Sequence, residues 1–333
     1  MVSGDLMRSR ALAFLCLVLV ASFLKGSTYA HGVAASPSRE KIILDTDIGD
    51  DIDDAFALAL VLSSPEFEVL GVTTAWGDTQ LRARVVDRML CETGKESIPI
   101  FAGISTVSKL MMDHAPYARS FWKPVREYGS ALDFILEQIR RYPDQITLLE
   151  IAPLSNVGPL IERDPDTFRK LKRVVMMGGS VYRGYNDLGY LPDHGPDPEY
   201  NIVSDVAAAK RLFASGVPIF MMPLDSTQLK LDEVKRELIF QRSTPLTDAL
   251  TLLYHLWGGQ TPTLYDPVAV ANAIQPEICP TKPLRIEVDD KGYTRPIAGA
   301  ANAQVCLNSK PDEFFHLYMM RVLNQHLSGH CCR

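Results

Sequence analysis

Six of the ten residues from Asp45 to Asp54 are aspartates, and the run stands between a short apolar stretch and an apolar helical pattern with no spacer on either side. No Lys or Arg interrupts it. Carboxylates at that density repel one another, and the repulsion is relieved by a cation, by protons or by solvent. A hard divalent ion with oxygen ligands is the natural counterpart. The ordinary meaning of an acidic run is a solvated loop, and Asp53 and Asp54 alone would serve to cap a helix and complement its dipole. Neither explains carboxylates wedged between two apolar elements. An EF-hand fits poorly, because Gly49 stands where the third side-chain ligand is expected and Phe56 where the closing Glu belongs.

The flanking residues say what positions these carboxylates. Residues 41–46 read as a buried strand delivering Asp45 and Asp47 at its C-terminal end, Gly49 suits a sharp turn, and Asp53 and Asp54 open an apolar helix over 52–63. Strand-like runs at 41–46, 67–75, 146–151, 173–177 and 217–222 alternate with helical spacing at 52–63, 79–93, 131–141, 156–163 and 205–215. That alternation marks βαβ units and a mostly parallel sheet. Past residue 225 the chain is more helical, at 246–257, 266–274 and 311–327, with a hairpin expected near 284–308. Three strands run into Trp76-Gly77-Asp78, Pro153-Leu154-Ser155-Asn156 and Gly178-Gly179. In open α/β sheets such ends gather where ligands bind. The expected fold is α/β, a single domain over 41–333 with a mostly parallel, Rossmann-like central sheet flanked by helices.

With 333 residues, 47% hydrophobic, and a formal net charge of −6, the chain carries no basic excess that would point to nucleic acid or an anionic membrane. Small-molecule chemistry fits better. Arg8 and Arg10 precede an apolar stretch at 11–24, and Thr28-Tyr29-Ala30 offers a cleavage site, so residues 1–30 read as a signal peptide and 31–40 as a polar lead-in. The stretch is short of the roughly 20 residues that span a bilayer, so the expectation is a secreted or periplasmic protein without a stable membrane anchor. Once Cys16 leaves with the signal, Cys91, Cys279, Cys306, Cys331 and Cys332 remain, an odd number without CxxC spacing. That indicates neither a zinc site nor a disulfide framework, while one or two bridges suit an oxidising compartment.

Several segments resemble, in order and approximate spacing, the nucleoside hydrolase family, the inosine–uridine-preferring ribohydrolases. They are Asp45-Thr46-Asp47-Ile48-Gly49 with the following Asp-Asp-Ala, Val72-Thr73-Thr74, Pro153-Leu154-Ser155-Asn156, Met177-Gly178-Gly179, Glu199-Tyr200-Asn201 and Asp266-Pro267. The resemblance implies hydrolysis of the N-glycosidic bond of a nucleoside or other N-riboside, with one Ca²⁺ at the C-terminal edge of the sheet. It also implies roles. Asp47 would ligate the ion and act as general base on the attacking water; Asp54 and Asp266 would be further carboxylate ligands, and Ile151 would give its main-chain carbonyl. Asp53, Glu199 and Asn201 would hold the ribose hydroxyls, with Asp78 and Asn186 as further sugar contacts. Asp45 and Asp225 would support the cluster. A homo-oligomer is plausible on the same ground.

The departures carry information too. Tyr265 stands where familiar members have a His that protonates the departing base, and a Tyr, with a reference pKa of about 10, is a poorer acid. Asp78 replaces a common Asn. Two extra residues in the acidic motif leave open whether Asp50 and Asp51 or Asp53 and Asp54 fill the paired roles; the latter are preferred because Ala55 and the helix follow directly. The segment 181–198 could form a lid in which Tyr182, Tyr185 and Tyr190 stack on the base. His114, His194 and His255 are other conceivable acids, though structural or surface roles suit them better. Two rival readings remain: a haloacid-dehalogenase-like phosphatase, which lacks a downstream Ser/Thr-then-Lys pattern, and a ribosyl-binding protein of the same fold without turnover.

Overall fold

The computed structural model describes residues 39–187, 194–258 and 260–329. The expected signal peptide, most of the polar lead-in, Tyr190, Cys331 and Cys332 lie outside the described residues. Among the described residues, no helix is long and apolar enough to cross a membrane.

Strand β1 (Glu40–Thr46) pairs in parallel with β2 (Phe67–Thr74) on one side and with β4 (Ile146–Glu150) on the other. β3 (Ile100–Ala102) extends the sheet beyond β2, and β5 (Arg173–Met177) and β6 (Ile219–Met222) extend it beyond β4. The remaining strands are β7 (Thr281–Val288), β8 (Thr294–Ile297) and β9 (Ala303–Cys306). The full order is β3-β2-β1-β4-β5-β6-β9-β7-β8, with β9 parallel to β6 and β7 antiparallel to β9 and β8. The chain therefore reverses its direction of sheet growth between β1 and β4, the crevice where doubly wound folds bind ligands.

β1 is buried on both faces, and its apolar side chains alternate between two cores. Ile42 and Leu44 pack with the helices Asp53–Leu62, Thr79–Glu92, Pro245–Trp257, Tyr265–Ile274 and Pro311–Asn324, whereas Ile43 packs with Ala131–Arg141, Val157–Arg163 and Val206–Ala214. The result is three layers with the sheet in the middle. The hairpin expected near 284–308 forms between β7 and β8, and β9 adds a third strand beside β7. β9 is short but joins the parallel sheet, and a Cys279–Cys306 disulfide ties the chain entering β7 to the end of β9.

Candidate active site

The C-terminal ends of β1 and β4 open onto a cavity of about 200 Å³ lined by Asp47, Asp51, Asp53, Asp54, Ile151, Glu199, Asn201 and Asp266, with Leu110, Met177, Tyr185, Tyr200 and Tyr265 as its less polar wall. Asp47 follows β1; Asp53 and Asp54 occupy the first turn of a helix, whose positive dipole end suits carboxylates. Asp266 likewise opens the helix Tyr265–Ile274. One carboxylate oxygen from each of Asp53, Asp54 and Asp266 lies within 4.8 Å of the others, so these three could hold a metal ion. All three carboxyls are pushed well above the ordinary range, first by burial and then by each other's charge or that of Asp47 or Asp51. Such a cluster is strained as bare carboxylates and satisfied by a hard cation with oxygen ligands. Of the aspartates the sequence left open, Asp53 and Asp54 lie beside Asp266, Asp51 lines the same cavity, and Asp50 is paired with Arg82.

The turn itself is held from beneath. Gly49 has φ +138°, a backbone conformation that strains any L side chain, and a Cβ there would also displace the end of the Met112 side chain, whose Cε lies 2.7 Å away. Arg82, fully buried, donates Nε to the Trp76 carbonyl at 2.8 Å, Nη1 to the Asp47 carbonyl and Nη2 to Asp50 Oδ2 at 2.7 Å. Trp76 is itself left-handed, at φ +60°, and its N–H is fixed by Ser155 Oγ at 3.1 Å. Arg82→Met should therefore destabilise the protein by about 3–5 kcal/mol, because the Asp50 carboxylate would stay buried without its countercharge. Urea denaturation tests this. A loss under about 1 kcal/mol would show that the pair is relieved by solvent.

Behind the cavity lies a polar layer whose members touch no substrate space. Thr46 Oγ1 donates to Asp54 Oδ1, Thr73 Oγ1 donates to Asp45 Oδ1 at 2.6 Å, and Asn156 Nδ2 donates to both Asp45 oxygens. Burial raises the Asp45 carboxyl to about 6, against those hydrogen bonds. Glu150, the register partner of Asp45 across β1 and β4, is fully buried, and burial together with the Asp45 charge drives its carboxyl well above the usual range.

Asp47 is raised to about 7, chiefly by burial, with Arg82 pulling the other way. Glu199 accepts from the N–H groups of Asn201 at 2.9 Å, Gly179 at 2.8 Å and Ile202 at 3.2 Å, and burial still lifts it to about 7. Asn201 Nδ2 donates to the Met177 carbonyl at 3.1 Å, which sets the orientation of its amide. Tyr265 lines the cavity, its phenol raised to about 12 by burial and then by Asp53.

Three expected site residues lie elsewhere. Asp78 is exposed and caps the helix Thr79–Glu92 by accepting from Leu81 N at 3.0 Å. Asn186 is exposed, with its N–H on Gln228 Oε1, and does not line the cavity. Asp225 accepts the N–H groups of Val181 at 2.8 Å and Tyr182 at 2.9 Å, organising the start of the 181–198 segment from outside the cavity. Of the three histidines, His114 is buried, His194 is bonded to Asp187 and Asp197, and His255 lies against Phe240 and Tyr254; none lines the cavity. Arg82, Glu150, Thr46 and Tyr200 are parts of the site to which the sequence pattern attaches no role. Only Glu150 carried a signal, as a lone acid inside an apolar strand.

Comparison with known proteins agrees with this geometry. The family model of the inosine-uridine preferring nucleoside hydrolases matches residues 42–316. Uridine nucleosidase 1 of Arabidopsis thaliana is 30% identical over 276 residues, covering 76% of this chain and 80% of that protein. The pyrimidine-specific ribonucleoside hydrolase RihA of Salmonella paratyphi C is 30% identical over 281 residues, covering 76% and 86%. The solved plant nucleoside hydrolase PpNRh1 superposes with a TM-score of 0.74 at 22% identity, covering 86% of this chain and 100% of the other, which speaks for the fold. The chain belongs to the inosine-uridine preferring nucleoside hydrolase family and is an N-ribosyl hydrolase.

Proposed function

We propose that the protein hydrolyses the N-glycosidic bond of ribonucleosides with the help of one Ca²⁺. The observation that carries this reading is the convergence of Asp53, Asp54 and Asp266 within 4.8 Å beside Asp47 at the sheet's reversal point. The donor set is all oxygen, which suits Ca²⁺ better than a softer metal. Asp54 and Asp266 would hold the ion, and Asp47, Asp53 and Ile151, the last through its main-chain carbonyl, line the same cavity and would complete its shell. When bound, the ion supplies the positive charge that keeps these carboxylates together and acidifies water at the site.

The chain's own groups do the rest. Asp47 takes the proton of the attacking water, a task suited to a carboxyl lifted towards neutrality. Breaking the glycosidic bond builds positive charge on the sugar ring, and the surrounding carboxylates stabilise that charge without having to reorient. Glu199, its carboxyl fixed by backbone N–H groups at the cavity wall, accepts a ribose hydroxyl. Asn201 and Asp53 orient the remaining hydroxyls. Tyr265 serves the departing base as a hydrogen-bond donor.

The test is reducing-sugar release from inosine, uridine and p-nitrophenyl riboside by the signal-free protein, in EGTA and after Ca²⁺ repletion. Release that disappears with EGTA and returns with Ca²⁺ is the expected result. Release unaffected by chelation would remove the ion from the reading.

A further inference from the structure

Building on the hydrolase reading, we propose that the preferred substrates are ribosides of a cationic heterocycle, such as an N-ribosylpyridinium or an N7-alkylated purine riboside, whose base departs as a neutral molecule. The cavity's make-up argues for this. Among the described residues, no Lys, Arg or His lines it, whereas Asp47, Asp51, Asp53, Asp54, Glu199 and Asp266 all do. Arg82, the buried cation beneath the turn, is held by Asp50 and two carbonyls. A cavity lined by acidic groups and aromatic rings suits a positively charged ligand better than a neutral one, and it gives a neutral base no cationic acid to protonate it.

The apolar wall adds a second, independent reason. Tyr185 and Tyr265 meet edge to face, with centroids 6.4 Å apart and planes at 80°, and Tyr200 stands beside them in the same cavity. The Tyr185 hydroxyl accepts the Tyr200 N–H at 3.0 Å, which fixes the corner. Aromatic rings gathered in this way are the recognised means of holding an organic cation. The chemistry balances without an acid. Water adds to the ribose C1′, the electrons of the C1′–N bond return to the ring nitrogen and cancel its charge, and the water's proton passes to Asp47 and then to solvent. Ribose and a neutral base leave.

The experiment compares 7-methylguanosine with guanosine at pH 6, where the methylated purine keeps its N1 proton and is a cation, with p-nitrophenyl riboside as control. The cation N-methylnicotinamide and neutral nicotinamide are compared as unreactive competitors. The expected kcat/KM advantage of 7-methylguanosine is about 10²-fold, the contribution of the acid that a neutral base lacks. The methylated competitor should bind about tenfold more tightly than its neutral counterpart. That second preference, which reactivity does not influence, should vanish in Tyr185→Leu and survive in Tyr185→Phe. Equal handling of each pair, with p-nitrophenyl riboside still cleaved, would overturn the cationic preference and leave the hydrolase reading standing. No ribose from any of the three ribosides would overturn both.

Discussion

Asp47→Asn should lower kcat on uridine or inosine by about 10²–10⁴-fold, the usual contribution of a positioned general base. The substitution keeps the side chain's size, so packing at this nearly buried position, 7% exposed, is retained. It removes the group lifted to about 7 that is aimed into the cavity, while Arg82 still holds the Asp47 carbonyl. The same reasoning fixes what should not change. Raising Ca²⁺ should restore less than about tenfold of the loss if the missing function is proton transfer. Asp54→Asn, by contrast, should recover most of its activity in excess Ca²⁺. Steady-state kinetics at several Ca²⁺ concentrations separates the two, and an Asp47→Asn enzyme within tenfold of the parent would dismiss Asp47 as the base.

The second large effect is on stability. In chelator, the melting temperature should fall as pH rises from 5 to 8. Carboxyls raised in the folded state keep their protons where the unfolded chain has already lost them. Their contribution is therefore complete below about pH 4 and lost as pH climbs through the folded values. Asp45 at about 6, with Asp47 and Glu199 at about 7, places that loss between pH 4 and 7, and Asp53, Asp54 and Asp266 lie well above the ordinary range. His114 works in the opposite sense. Burial lowers it to about 4, so the unfolded chain binds its proton first and acid destabilises the fold between about pH 6.5 and 4. One group opposes several, so the carboxyls set the trend above pH 5. At about 1.4 kcal/mol per unit for each group, a drop on the order of 10 °C is expected. Ca²⁺ should reverse most of it at pH 8 and little at pH 5. A flat profile in chelator by differential scanning calorimetry would mean that the acidic cluster is already compensated without an ion.

The acidic half of this site was legible because local pattern carries it. An apolar strand, six aspartates around a glycine and an apolar helix fix where Asp47, Asp53 and Asp54 go without knowledge of the rest of the chain. Asp266 and Glu199 needed a family resemblance, since nothing local distinguishes one surface acid from another. Arg82 was invisible for the same reason: its partner Asp50 lies 32 residues away and meets it only through the packing of a helix beneath the turn. Asp78 misled in the opposite way. An Asp at a strand end reads as a ligand, but it also stands directly before Thr79, where its nearest open donors are those of the helix it caps. β3, three residues long, is too short for any two-residue period to show.

β1 touches both cores, one through Ile42 and Leu44 and the other through Ile43, and hydrogen-bonds to a neighbour on each side. Segments placed in this way exchange their amide hydrogens only when the whole molecule opens. The carboxylate repulsion is therefore opposed by the cooperative stability of the entire domain rather than by that of a loop. A mobile binding loop would respond to ion loss by fraying. Here the strand that presents Asp45 and Asp47 has no local escape, so the geometry of the empty site and the integrity of the fold rise and fall together.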